Sequence, residues 1–356
     1  MKVGLNSIAL LALESTFIST AELIWLFSSQ TVGKFLTEML PNVFPILIGI
    51  MCIVEQQRIL LKCFIVGLLI IHLLVGTGFS FLIGCINLEQ AYINSTAAST
   101  LSQLTLMISV PFAILFVLSD ILSHYGPGLR ETDNSLFLAY ATGALLLAFE
   151  LMWLIFKYKT HDYMFGELAD REEEPEPGDP SPAPEHVRIP LQWRVAYFLW
   201  LAAAPTLAVK CLANIISTPA WPVAEAIFGG SVLLPAAISA SGIVKTCNIA
   251  RSGRMQLVIH LTVETAIGIS FFTLPILILI DALMANDAVI WDFPVILTAS
   301  LFLTVFTVGI TIKDGTLNYM KGVMYLALYL VIALSLYIAP YEHDSPFHIV
   351  TTPKNR

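Results

Sequence analysis

The chain has 356 residues, of which 57% are apolar and 12% charged, with a mean hydropathy of +0.80. That apolar excess is more than a soluble core buries, and it excludes an ordinary soluble enzyme or binding module. The formal charge of −8 does not describe an acidic protein surface, because much of it sits in one run, Glu167 to Glu185, and no nucleic-acid partner is implied.

A helix needs about 20 mostly apolar residues to cross a bilayer. Taken in chain order, such runs lie near residues 4 to 29, 39 to 56, 59 to 86, 97 to 120, 136 to 157, 193 to 216, 223 to 247, 255 to 284, 288 to 312 and 318 to 340. The expectation is an all-α polytopic membrane protein of about ten transmembrane helices. Lys2 followed by apolar residues to Leu13 resembles a signal peptide, but Glu14 interrupts the run and no A-x-A cleavage site follows, so a first span is the better reading. Cys52, Cys63, Cys85, Cys211 and Cys247 fall in or at the edge of apolar spans without metal spacing and read as packing residues.

One polar interruption, His161 to Pro190, combines high charge with repeated proline and cannot form a packed core. It divides the chain into a membrane repeat over residues 1–160, an acidic Pro-rich linker over 161–190, a second membrane repeat over 191–340 and a short tail over 341–356. A weak internal echo, Arg58 with Leu61 and Arg254 with Leu257, suggests that the halves are related. Lys34, Lys157, Lys159, Arg171, Arg188, Arg194, Lys245, Arg251, Arg254, Lys313 and Lys321 flank one side, against Lys2, Arg58, Lys62, Arg130, Lys354 and Arg356 on the other. The positive-inside rule therefore places the linker in the cytosol and both termini across the membrane, and leaves the Asn94-Ser95-Thr96 sequon unglycosylated.

Ionisable groups within the spans are Glu14, Glu22, His72, Glu150, Lys210, Glu225, His260 and Glu264. A charge near the bilayer centre costs about 2.5 to 3.5 kcal/mol on insertion scales, so such groups face a partner or a wet cavity. Glu14, Glu22 and Glu225 lie near span ends and are expected at the interface. Glu150, about two turns before Lys157, and Lys210 read equally as structural pairs or functional groups. His260 and Glu264, spaced i,i+4, share a helix face and suit a hydrogen-bonded pair, a proton relay or half a metal site. His72 by itself reads as a packing histidine or as part of an ion path. No nucleophile or metal constellation supports an intramembrane enzyme, and no cofactor is implied.

Several segments in order resemble the vacuolar-type calcium/proton exchangers of the cation/calcium antiporter superfamily. TVGKFLTEMLPNVFP (Thr31 to Pro45) resembles the family's T-x-G-G-L-L-N-A-T-F-G-N-A-x-E, and RILLKCFIVGLLIIHLLVGTG (Arg58 to Gly78) resembles the helix that follows it. EQAYINSTAAST (Glu89 to Thr100), WLIFKYKTHDYMF (Trp153 to Phe165) and IKDGTLNYMKG (Ile312 to Gly322) are similar to later motifs. The resemblance implies two inverted five-helix repeats, calcium or another cation and protons as substrates, and a vacuolar or other endomembrane. Calcium takes six to eight oxygens, and a glutamate from each repeat supplies them charge and an exchangeable proton.

That glutamate pair is missing. Asn42 matches the motif asparagine, but Pro45 stands at the first acid position; in LLPAAISASG (Leu233 to Gly242), Ser239 stands at the asparagine and Gly242 at the second acid. Gap-free counting places Thr265 at a family serine, Gly268 at a glutamine and His72 at an asparagine, with Glu264 the carboxylate on the second repeat's ion-facing helix. Asn42, His72, Ser239, His260, Glu264 and Thr265 are thus the ion-path candidates, and His72 and Glu264 are expected to approach each other at the midplane. Two functions fit: a cation/proton antiporter with a weakened calcium site, or a non-transporting relative that acts as scaffold or regulator. In either case the chain works alone, as a homo-oligomer or beside an active exchanger.

Overall fold

The computed structural model describes residues 2–22, 39–86, 91–92, 95–124, 133–160, 191–216, 227–284, 291 and 293–338. The linker over 161–190, the tail over 341–356, Glu225 and the sequon asparagine lie outside them, as does the side chain of Glu22. The protein is an all-helical polytopic membrane protein, and seven of its helices among the described residues are long and apolar enough to cross a bilayer on that ground alone.

The first half comprises α1 (Lys2–Glu22), a 3-10 turn (Leu40–Asn42) leading into α2 (Val43–Val54), α3 (Arg58–Ile70), a π turn (Ile71–Gly76), α4 (Thr77–Cys85), strand β1 (Ala91–Tyr92), α5 (Ser95–Met107), α6 (Val110–His124) and α7 (Asp133–Ile155), which ends in a π turn (Phe156–Thr160). The second half comprises α8 (Leu191–Ile216), a π turn (Gly229–Leu233), α9 (Leu234–Arg251), α10 (Met255–Ile267), a π turn (Gly268–Thr273), α11 (Leu274–Met284), α12 (Val295–Lys313), β2 (Thr316–Leu317) and α13 (Tyr319–Ile338). Since α2 continues its 3-10 turn, α4 and α11 continue α3 and α10 through their π turns, and α6 continues α5, each half has five membrane passes. The passes sit close to the apolar runs.

The halves repeat in detail. Gln57 begins α3 with φ −87°, ψ 64°, and Arg254 begins α10 with φ −87°, ψ 59°. The two are 197 positions apart (254 − 57), and the same interval separates Ile71 from Gly268, where the π turns begin. It also relates Gln56 (φ 55°) to Gly253 (φ 81°), the left-handed residues of the two tight turns. The Arg58/Arg254 echo is therefore one position out of register: the structural counterpart of Arg254 is Gln57.

The π turns arise differently. Pro275 has no N–H to offer the carbonyl one turn back, which loosens the second; in the first, the Thr77 hydroxyl caps the Leu73 carbonyl.

Packing follows a two-fold pattern. α1 lies on α8, α5 lies on α12, α1 contacts α9 as α8 contacts α2, and α4 contacts α13 as α11 contacts α7. Each half thus completes its core with the last helix of the other. Close approaches support this: a Cβ at Gly67 would stand 2.3 Å from the Ser231 carbonyl oxygen, and one at Gly322 would stand 2.6 Å from that of Gly78. Ser102 Oγ donates to the Gly309 carbonyl at 2.9 Å, fastening α5 to α12. β1 and β2 pair antiparallel, Ala91 with Leu317 and Tyr92 with Thr316, which puts those two loops on one face of the membrane. Alternation of the passes puts the loop at 252–254 and the ends of the linker, Thr160 and Leu191, on that same face. It is called the linker face below.

Candidate functional site

The entry of α2 meets the π turn of the second repeat, and α9 meets the π turn of the first. Asn42 is buried at the first contact, where its Oδ1 accepts from Thr273 Oγ1 at 3.3 Å. A Cβ at Gly268 would come within 3.0 Å of Asn42 Nδ2, so a side chain larger than glycine would displace the amide. At the second contact, Ser239 Oγ lies 3.2 Å from His72 Nε2, with the direction of donation set by the tautomer. Asn42 and Ser239 are separated by the 197-residue interval, as are Pro45 and Gly242. The positions of Pro45 and Gly242 are therefore equivalent in three dimensions, on the elements where the repeats touch. Gly242 retains room: a Cβ there would sit 3.9 Å from His72 Cε1, ordinary van der Waals contact.

Glu264 is elsewhere in this arrangement. It forms a salt bridge with Lys157, from the π turn closing the first half, and its Oε1 lies 3.1 Å from His260 Nε2 one turn back on α10. The side chains of Lys157 and Glu264 are both 10% exposed. His72 is partnered by Ser239, and Glu264 by Lys157 and His260, so the expected approach of His72 to Glu264 is not among these contacts. By the repeat interval the counterpart of Glu264 is Gly67 and that of His72 is Ile269, so they are not matching positions. Thr265 donates its hydroxyl to the Leu261 carbonyl at 2.8 Å within its own helix. Lys157 was legible only as a flanking cation; what it reaches depends on how the halves pack.

Glu14 also departs from expectation. It is 5% exposed, and Ser241 donates its hydroxyl to Glu14 Oε2. The reason is helical phase, since Leu10, Glu14 and Phe17 recur at i, i+4, i+7 and form one buried face of α1. Phe17 fixes that face against Phe44 of α2, with ring centroids 5.3 Å apart. Lys210 is exposed on α8, whereas Glu150 is buried on α7. Asp281, absent from the sequence-derived candidates, is 3% exposed on α11 and accepts from Trp291 Nε1 at 3.3 Å. Among the described residues no three His, Cys, Asp or Glu side chains converge as a metal site.

The helical arrangement superposes on solved structures along nearly the whole chain. The structure of native YfkE superposes with a TM-score of 0.70 at 16% identity, over 94% of this chain and 90% of that one. That of the H+/Ca2+ exchanger CAX superposes with a TM-score of 0.64 at 7% identity, over 95% and 85%. In sequence, the vacuolar calcium ion transporter of Schizosaccharomyces pombe is 24% identical across 94% of this chain and 79% of its own length. The Oryza sativa subsp. japonica vacuolar cation/proton exchanger 1a is 24% identical across 94% and 74%, and the Ca(2+)/H(+) antiporter of Aphanothece halophytica 23% across 94% and 89%. No protein-family model matches the chain. The chain is a distant homologue of the calcium/proton exchangers. These homologues are transporters rather than enzymes, and their likeness extends over nearly the whole chain.

Proposed function

We propose that this protein is a cation/proton antiporter of the calcium/proton-exchanger type with a weakened calcium site, working in a vacuolar or other endomembrane. The observation that carries this reading is that the repeat geometry survives where the acids do not. Asn42 and Ser239, at equivalent positions, each make a polar contact to the opposite repeat, to Thr273 and to His72 respectively, although those two partners are not themselves equivalent. A bundle retained only as a shell would have no need of polar contacts at its centre, where an unused polar group is a burden. Calcium favours six to eight hard oxygens with carboxylate charge among them, so replacement of both acids by Pro45 and Gly242 lowers affinity more than it alters the route.

The test is calcium uptake into vesicles of the purified protein under an imposed pH gradient. Uptake that rises with the gradient and collapses with a protonophore supports antiport; none at any calcium concentration refutes it. A second reading, a non-transporting scaffold or regulator alongside an active exchanger, draws on one feature: Glu264 already has a covalently tethered cation, Lys157. It expects no flux and stable co-purification with an active exchanger. We further propose the division into two membrane repeats over 1–160 and 191–340, with the linker in the cytosol. Protease confined to the cytosolic side of sealed vesicles should then cut within residues 172–185; protection until the membrane is opened would reverse the orientation.

A further inference from the structure

We infer that Glu14 supplies the cation-binding carboxylate that the second core repeat has lost, so that the first helix completes a site the repeats no longer build alone. The inference rests on the antiport reading for its purpose, though not for its test.

The argument begins with a cleft of about 450 Å³ between α1 and α9. Ser15 and Ser19 line it from α1, and Ser241, Gly242 and Lys245 from α9. Its rim includes Arg254, in the loop on the linker face. Ser241 lies ten residues before the end of α9, about 15 Å along the helix axis, so the floor reaches roughly the centre of a hydrocarbon layer about 30 Å thick. Immediately beneath that floor Glu14 accepts the Ser241 hydroxyl. Beside it, Gly242 is the vacated acid position, and His72 and Ser239 stand just beyond. A carboxylate entering from α1 thus arrives one residue from the place where the repeat would have offered its own.

Its chemistry differs from that of Glu264. Glu264 is matched by Lys157 and lies near His260, so its negative charge is already compensated. Glu14 is held by a neutral hydroxyl, and among the described residues no cation is paired with it. On α9, Lys245, Cys247 and Arg251 are the charged or titratable residues, and of these Lys245 lines the cleft. On α8 the described ones are Tyr197, Lys210 and Cys211, none of which lines it, and the 3-10 turn Leu40–Asn42 carries none. Lys245 is exposed, one turn nearer the mouth than Ser241, where water screens it. It opposes an entering cation without neutralising the carboxylate. The site therefore takes a small hard cation, weakly, through one carboxylate and neighbouring serine oxygens.

The test uses the wild-type protein in proteoliposomes at fixed pH. A membrane-permeant carbodiimide, dicyclohexylcarbodiimide, is applied across a range of calcium chloride concentrations, and peptide mass spectrometry reads labelling at Glu14 and Glu264 in the same digest. Labelling of Glu14 that falls at least fivefold at saturating calcium, with Glu264 unlabelled, is expected. Lys245→Gln should then lower the calcium concentration giving half-protection by threefold or more, since it removes the opposing charge. Absence of label at Glu14, label that calcium does not reduce, or preferential label at Glu264 would each overturn the inference. Calcium-protected labelling in a protein that shows no calcium uptake refutes the antiport reading and leaves the binding site standing, so the two failures are distinct.

Discussion

Removing Lys157 is the sharpest perturbation of the contact between the halves, because it leaves Glu264 buried without the partner that reaches it from the other half. Breaking a buried pair by deleting one member destabilises by about 3 to 5 kcal/mol, since the survivor stays in low dielectric without compensation. Two features place Lys157→Met near the lower bound. His260 remains 3.1 Å from Glu264 and can still donate, and the pair is 10% exposed rather than sealed. A loss of about 3 kcal/mol corresponds to about 6 °C for a chain of this size, at about 2 °C per kcal/mol. Glu264→Leu should produce a similar loss by stranding the ammonium. The double variant Lys157→Met with Glu264→Leu removes both charges and should return to within about 1 kcal/mol of the starting protein, as apolar replacements of buried pairs commonly do. The assay is fluorescence-monitored thermal unfolding of all four proteins in one detergent. A coupling energy of at least about 2 kcal/mol closes the cycle as reasoned. Additive single effects would refute it, and would mean that Lys157 and Glu264 are solvated separately rather than joined.

Three further outcomes follow from close geometry. Gly67→Ala drives a Cβ to 2.3 Å from the Ser231 backbone oxygen and should destabilise by about 1 to 3 kcal/mol, read as a lower unfolding temperature, whereas Gly76→Ala, with 3.6 Å to Thr262 Cγ2, should be nearly silent. Gln56→Gly relieves a left-handed residue at the position where the other repeat carries Gly253, and should stabilise by about 1 kcal/mol in the same assay. Gly242→Glu returns a carboxylate to a position with 3.9 Å of clearance to His72 and should lower the calcium concentration for half-maximal uptake by threefold or more; an unchanged value would mean that this face does not meet the ion.

The membrane passes were legible because a bilayer imposes a length and an apolar requirement on each helix, and the chain obeys both locally. The 197-residue interval pairs Asn42 with Ser239 and Pro45 with Gly242, the positions that the motif resemblance suggests separately for each half. The π turns were not legible. One lies just before Pro275, a residue that hydropathy ignores, and the other just before Thr77, whose hydroxyl bonds the Leu73 carbonyl of its own helix. Nor were the partners of the buried charges. Lys157 and Glu264 are 107 positions apart, and Glu14 and Ser241 are 227 apart, so neither pairing leaves a periodic trace. Proximity to a span end points Glu14 toward the interface. Its phase with Leu10 and Phe17 was the better signal, because a residue on the apolar face of a buried helix goes where that face goes.

The repeats have kept shape and lost chemical equivalence, and this bears on how any transport cycle divides between them. Glu264 has Gly67 as its counterpart, His260 has Cys63 and His72 has Ile269, so each ionisable group of the core helices faces a neutral residue in the matching place. A symmetric pair of acids would let either half bind the same ion in the same way. Here the charges are distributed by element instead: one carboxylate is tied to the end of the first half through Lys157, another enters from the first helix to Ser241, and, among the described residues, the only imidazole at a π turn belongs to the first repeat. Movement of α1 relative to α9 would separate Glu14 from Ser241 without touching the Lys157–Glu264 bridge, since these contacts lie on different elements. The bridge then behaves as a fixed fastening between halves and the α1–α9 contact as the adjustable one. It follows that a disulfide engineered across α1 and α9, between Ser15→Cys or Ser19→Cys and Ser241→Cys or Lys245→Cys pairs chosen for geometry, should arrest uptake and be reversed by reductant. The same cross-link placed between α5 and α12 should leave uptake intact. If both cross-links arrest transport equally, the moving contact is not the one that carries Glu14.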